Sequence, residues 1–240
     1  MADKILVLGE IAEGKLRNVS FEAIAAAKAI SSDAEIIGVL LGEQVGDLAN
    51  ELIAYGADRA VVVEHEQLKY YTPDGFSQAM MAVIEKENPD GIVLGHTSVG
   101  KDLAPRIATK LDAGLVSDIT EVEVTGENVI YTRPIYSGKA FEKKMIKSET
   151  FLVTVRPNNI PALEKDESRS GDIQNVDVEI KDLRTIVREI VRKKSEGVDL
   201  SEAKVVVAGG RGVKGPEGFK LLQELADELQ QVMDVKERTA

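Results

Sequence analysis

No cysteine and no tryptophan occur in these 240 residues, histidine occurs twice, and aromatic residues make up 4% of the chain. The missing thiol excludes disulfides, thiolate-bound metals, iron–sulfur clusters and cysteine nucleophiles, so hard redox chemistry must come from a cofactor or a partner. With so few rings, the core must be packed by Ile, Val, Leu and Ala. The 43% of hydrophobic residues suffice for that, which favours an α/β interior. No apolar run reaches the length that spans a bilayer, and MADKILVLGE enters a strand pattern without a basic leader. A cytoplasmic protein without membrane insertion is expected. Cations are short as well, 30 Lys and Arg against 41 Asp and Glu, for a net charge of −11. Because nucleic-acid affinity rests on neutralising phosphates, no nucleic-acid partner is expected. The one basic stretch sets Lys139, Lys143, Lys144 and Lys147 among Phe141, Met145 and Ile146 with strand-like alternation, and reads as a solvated sheet edge, with a docking surface as the alternative.

The pattern along the chain predicts alternating strands and helices. Strands are expected at Lys4–Leu8, Glu35–Leu41, Arg59–Val63 and Gly91–Leu94, each apolar on both faces. Between them, helices are expected at Ser20–Ile30 with a serine cap, at Asp47–Tyr55 stopped by Gly56, and from Pro73 to about Asn88. A further helix is expected at Lys101–Leu111. This rhythm implies a doubly wound parallel sheet covered on both sides, with ligands gathering at its carboxyl edge. After Gly114 the alternating segments around Gly126-Glu127-Asn128, then Phe141–Lys147 and Thr150–Val155, read as antiparallel additions. Arg156–Asp172, rich in proline, asparagine and charge, reads as a surface connection and linker. A short strand is expected at Val176–Ile180, a helix at Leu183–Lys194, and a second α/β unit opening with a strand at Lys204–Ala208.

Two places carry candidate chemistry. His96 follows a central strand at the ligand-binding edge, and Asp102, Arg106 and Asp118 come within reach of that edge. A histidine in a polar loop is more often a hydrogen-bonded structural residue, so no catalysis is assigned to it. His65 shows no partner in the sequence. Ser98 and Ser137 lack the G-x-S-x-G elbow of a nucleophile, and the carboxylates lack metal-binding spacing. GHTSVGKDLAPRIATKL does not reproduce the paired glycines of a triphosphate cradle, which leaves an autonomous adenine-nucleotide-binding domain as an alternative function.

The second place is GGRGVKGPEGF, from Gly209 to Phe219, where Gly210, Gly212 and Gly215 match G-x-G-x-x-G between an apolar run and the helix-like FKLLQELADEL. Backbone N–H groups at a helix start can bind a pyrophosphate, and Arg211 could reach the same anion or a reduced cofactor ring. The other reading of the spacing is a strand-to-helix turn that needs positive φ. A dinucleotide fold also needs a further strand with an acidic residue for the ribose, and only Pro216–Ala240 remain.

Several long segments in order resemble the α subunit of electron transfer flavoproteins, from Lys4 to about Glu228. The resemblance is carried by PDGIVLGHTSVGKDLAPRIATKLDAGLVSDITEVE (Pro89–Glu123), YTRPIYSGKAF (Tyr131–Phe141), TVRPNNIPALEKDESRSG (Thr154–Gly171) and VDLSEAKVVVAGGRGVKGPEGFKLLQELADEL. It implies a nucleotide-hydrolase-like, mostly parallel N-terminal domain, expected at residues 1–182, that docks on a β subunit. Residues 183–240 would be a connecting helix and the first strand and helix of an FAD-binding domain. The implied role is that of an electron carrier, not an enzyme. It would pass electrons from dehydrogenases, including those of fatty acid β-oxidation, to an acceptor oxidoreductase. Arg211 would lie beside the flavin and stabilise negative charge on the reduced ring, with Gly210, Gly212 and Gly215 letting the backbone approach. The family's further FAD-contacting loops are missing from these residues, and the family pattern stops near Gln230. A cofactor-free, β-binding scaffold is therefore the alternative role within the same family.

Overall fold

A computed structural model of the chain describes residues 2–185, 187, 203 and 205–237. The chain divides into two compact units, Met1–Arg192 and Lys193–Ala240. The first runs β1 (Lys4–Gly9), a small hairpin of β2 (Ile11–Ala12) and β3 (Lys15–Leu16), α1 (Asn18–Ile30), β4 (Glu35–Gly42), α2 (Ala49–Ala54) and β5 (Arg59–Glu64). It continues through α3 (Pro73–Glu87), β6 (Gly91–Gly95), α4 (Ser98–Leu111), β7 (Gly114–Ile119), β8 (Glu121–Thr125) and β9 (Asn128–Ile135). Its last strands are β10 (Ala140–Lys144), β11 (Phe151–Val155) and β12 (Ile173–Asn175).

Seven strands form one sheet in the order β12-β5-β4-β1-β6-β11-β7, with every neighbouring pair parallel. Strand alternation then sorts side chains between two cores. Ile5 and Val7 of β1 pack with α1 and α2, while Leu6 and Leu8 pack with α3 and α4. Both faces are thus apolar and covered, as the doubly wound expectation requires. The start of the sheet is tied by a buried ion pair: Arg59 meets Glu87, which also lies 3.6 Å from Lys4 Nζ, and Arg59 reaches Glu35 at 2.7 Å.

Local differences from the sequence expectation have physical causes. α1 begins at Asn18, and Ser20 is not its cap; the Ser20 hydroxyl instead accepts the Glu10 N–H at 2.9 Å. α4 begins three residues before Lys101 because Thr97 caps it, accepting the Gly100 N–H at 3.2 Å. β7 and β11 join the parallel sheet and are not antiparallel additions: the α4 crossover brings β7 to the edge, and β11, buried on both faces, slots between it and β6. The true antiparallel addition is the three-stranded β10-β9-β8 sheet, with its expected turn at Gly126. β10 stops at Lys144.

Arg156–Asp172 is no interdomain linker but a strap within the first unit. The Asp166 N–H donates to Ala54 O, Arg169 donates to the Ile53 and Ala57 carbonyls, and the strap delivers β12 to the sheet edge. That strand covers Ile173–Asn175, earlier than the expected Val176–Ile180, of which only Val176 continues the pairing, through its N–H to Val62 O. The helix expected at Leu183–Lys194 falls mostly outside the described residues.

In the second unit the described residues hold a single turn of 3-10 helix at Arg211–Val213 and α5 (Gly218–Glu237). Val205–Ala208 forms no strand there, contrary to expectation. A β conformation is held by ladder hydrogen bonds, and no described residue of this unit pairs with the run.

Candidate functional site

The strand order reverses between β1 and β6, since α1 leaves β1 toward one core and α4 leaves β6 toward the other. In such sheets this is the ligand crevice. Here side chains bridge it. Glu10, directly after β1, accepts the Thr97 hydroxyl at 2.6 Å through one carboxylate oxygen and meets Arg17 Nη1 at 2.5 Å through the other.

One step along the edge, His96 and Asp118 do come together, with Nε2 to Oδ1 at 3.6 Å. His96 Nδ1 lies 2.8 Å from Thr154 Oγ1, and Asp118 is held by both Nε and Nη2 of Arg156, at 2.9 and 2.6 Å. Burial pushes the His96 pKa down, Asp118 opposes this, and Lys101, Arg156 and Arg133 add to the depression. Burial pushes Asp118 up, but the Arg156 hydrogen bond, with His96 and Arg133, leaves its carboxyl below the usual range.

Hydroxyl, imidazole and carboxylate thus stand in the order of a nucleophilic triad, but the geometry does not support that chemistry. Thr154 is 1% exposed, and its Oγ1 already accepts the Asp118 N–H at 3.0 Å, so no substrate reaches it. The cluster instead locks β6, β7 and β11 together at their carboxyl ends. Asp102 and Arg106 are not part of it: they pair with each other, and Tyr71 donates to Asp102 at 2.6 Å. Burial and that bond raise the Tyr71 pKa. His65 caps a short turn by accepting the Gln67 N–H, Ser98 is the first residue of α4, and Ser137 lies in a turn. Among the described residues no group of three or more His, Asp or Glu could hold a metal ion.

The glycine loop has a different character. Arg211 and Gly212 form its 3-10 turn and are exposed. A Cβ at Gly210 or Gly212 would meet nothing within 4 Å, and Gly215 has φ +139°. The tightly packed glycines are ones that the G-x-G-x-x-G pattern passes over. Gly209 lies under Phe219 and Leu222, and a Cβ at Gly218 would stand 2.0 Å from Val213 O. Arg211, Lys214, exposed backbone and the N-terminus of α5 with no acid in its first turn suit an anion such as a diphosphate.

Glu10, Thr97, Thr154, Arg133 and Arg156 were not picked out by sequence pattern. A carboxylate immediately after the first strand was the available signal for Glu10.

Residues 5–181 match the electron transfer flavoprotein domain, and residues 199–235 match the electron transfer flavoprotein FAD-binding domain. Among curated relatives, the chain is 58% identical over 229 residues to the electron transfer flavoprotein subunit alpha of Bacillus subtilis, covering 95% of this chain and 70% of that protein. It is 34% identical over 241 residues to the subunit of the same name from Thermoanaerobacterium thermosaccharolyticum, covering 98% and 73%. It is also 30% identical over 256 residues to the acryloyl-CoA reductase electron transfer subunit beta of Anaerotignum propionicum, covering 93% and 70%. With a doubly wound parallel unit followed by a glycine loop and a helix, and with these matches across both units, the chain belongs to the electron transfer flavoprotein α-subunit family.

Proposed function

We propose that the chain is the α-subunit component of an electron transfer flavoprotein, a cytoplasmic electron carrier that pairs with a β subunit. It takes electrons from dehydrogenases and passes them to an acceptor oxidoreductase. The observation that carries this reading is a match of 58% overall identity that covers 95% of the chain and so takes in both units.

When bound, FAD supplies the redox chemistry. The first unit is a scaffold: its charged edge residues bind one another and present no reacting group. The loop residues fit the diphosphate end of the cofactor. Exposed backbone at Gly210 and Gly212 admits close approach, Gly215 supplies the left-handed turn, and the α5 N-terminus favours negative charge. With FAD held by this loop, Arg211 would supply a fixed cation and would raise the potential by favouring flavin forms that carry negative charge.

A second reading, the cofactor-free β-binding scaffold, is supported by the open space around Gly210 and Gly212. A flavin and an adenine both need walls, not a loop alone. The two readings separate when the chain is purified with a β subunit, incubated with excess FAD and desalted. Stoichiometric flavin absorbance supports the carrier, and a colourless heterodimer supports the scaffold. If no heterodimer forms, both fail. In a flavin-retaining heterodimer, Arg211→Ala keeps the pairing and lowers the flavin potential, with FAD affinity falling on the order of tenfold for a lost charged hydrogen bond.

A further inference from the structure

A doubly wound sheet gathers anions where its strand order reverses, because helices leaving to opposite faces open a crevice there and turn their N-termini toward it. In this chain the crevice lies between β1 and β6, and an anion from the chain itself already stands in it. Glu10 is held at every polar position. One carboxylate oxygen accepts the hydroxyl of Thr97, the α4 cap, at 2.6 Å, and the other meets at 2.5 Å the guanidinium of Arg17, which stands at the N-cap position of α1 without capping it through its side chain. Its N–H donates to Ser20 Oγ at 2.9 Å, and its carbonyl accepts the Arg17 N–H at 2.8 Å. The Glu10 side chain is 10% exposed. One carboxylate thus sits between the caps of the two helices that flank the crevice.

We propose that Glu10 is a built-in anion that closes this crevice to phosphate, and that it is the specificity-determining residue that keeps the first unit from acting as a nucleotide-binding domain. Thr97 and Arg17 are its positioning residues. A phosphate entering here would have to displace the carboxylate from the same donors and would be repelled by it until it did. With the carboxylate removed, a hydroxyl, a guanidinium and a helix N-terminus face the vacated volume together, the donor set that recognises a phosphate or phosphomonoester. The inference concerns the first unit alone and holds whether or not the chain carries FAD.

The test is thermal unfolding of the full chain as wild type, Glu10→Ala and Glu10→Gln, with millimolar inorganic phosphate or AMP against sodium chloride of matched ionic strength. Phosphate stabilises proteins generally by exclusion from their surfaces, so the readout is each variant's shift beyond that of wild type. The expected result is no AMP response in wild type, a lower melting temperature in Glu10→Ala, and recovery of that loss by phosphate with the logarithmic dependence of binding linkage. Adding Arg17→Ala to Glu10→Ala abolishes the recovery. Glu10→Gln keeps the size of the side chain and reports the effect of removing the charge alone, and Glu10→Ser, which frees the volume, carries the test if the alanine variant does not fold. The proposal is overturned by a saturable AMP shift in wild type that persists when Arg211 and Lys214 of the glycine loop are replaced by alanine, or by a folded Glu10→Ala or Glu10→Ser variant whose phosphate response equals that of wild type.

Discussion

In the first unit, each strand of the large sheet lies beside a partner that takes its hydrogen bonds, and β1, β4 and β6 bury apolar side chains on both faces. In the second unit the equally apolar run Val205–Ala208 has no ladder among the described residues, and Val205 and Val206 are each 51% exposed. The two stretches differ little in composition, so composition does not decide which becomes a strand. What decides is whether neighbours exist to satisfy the backbone and cover the side chains. Glycine shows the same contrast only at particular positions: Gly100 is confined by packing and Gly210 and Gly212 stand in open space, while Gly209 and Gly218 of the second unit are packed and Gly126 and Gly138 of the first are not.

The comparison breaks most visibly at glycine. A Cβ on Gly100 would fall 1.8 Å from Gly95 O, a backbone atom fixed between β6 and α4, whereas one on Gly212 would meet nothing. Gly100→Val is expected to cost about 3 kcal/mol or more. Gly212→Val is expected to shift stability by less than about 0.5 kcal/mol. Urea unfolding followed by circular dichroism distinguishes them, and equal costs would show that the loop is as closely packed as the sheet.

Next comes the ion pair that ties the start of the sheet. The hydrogen bond from Arg59 holds the Glu87 carboxyl below its ordinary range, with burial opposing and Lys4 assisting. Glu87→Ala removes the more buried partner of Arg59 but leaves Glu35 at 2.7 Å, and is expected to cost about 1–3 kcal/mol. That corresponds to roughly 2–12 °C in melting temperature for a chain of this size. Because the folded pKa lies below the unfolded one, this stabilisation is present above the ordinary carboxylate range and is lost as pH falls through the folded value. Between pH 7 and pH 4, wild type should therefore lose more stability than Glu87→Ala.

The same contrast explains what was legible in the sequence. β1, β4, β5 and β6 could be read because a strand buried on both faces is apolar at every position, and α3 because proline opens it and Asn88 closes it in the left-handed region. β7 and β11 were readable as strands but not as parallel ones, since orientation is set by which neighbours the α4 crossover brings, and short apolar runs carry no sign of that. The Glu10–Thr97 bridge spans 87 residues of sequence, and the Asp118–Arg156 pair spans 38. No local spacing encodes either one. The glycine loop was readable as a motif because its signal is local, while its environment depends on partners that the motif does not specify.

A smaller effect tests the charged edge. Burial lowers the His96 pKa in the folded chain below its unfolded value, so the unfolded state takes up the proton first. Its contribution is present above about pH 6.5, the unperturbed histidine value, and is lost as pH falls toward the folded pKa. His96→Gln keeps a polar group beside Thr154 and should flatten stability against pH between about 6.5 and 5, measured as melting temperature in matched buffers. A slope identical to that of wild type would mean that another group titrates there.

The smallest effect belongs to the uncovered run itself. A carboxylate placed at a fully buried strand position has no route to water. Val62→Asp, in the middle of β5, should therefore abolish cooperative unfolding. Val205→Asp and Val206→Asp place the same charge on side chains already half in water, and each is expected to change stability by less than about 0.5 kcal/mol in the isolated chain. The sharper form of the measurement repeats both substitutions in the presence of a β subunit and FAD. If the run acquires strand neighbours in that assembly, a neutral substitution becomes a costly one, and the added cost measures how much of the second unit's order comes from its partners. If both substitutions stay neutral there, Val205–Ala208 remains a connector in the assembly, and the anchoring of the cofactor rests on the loop and α5.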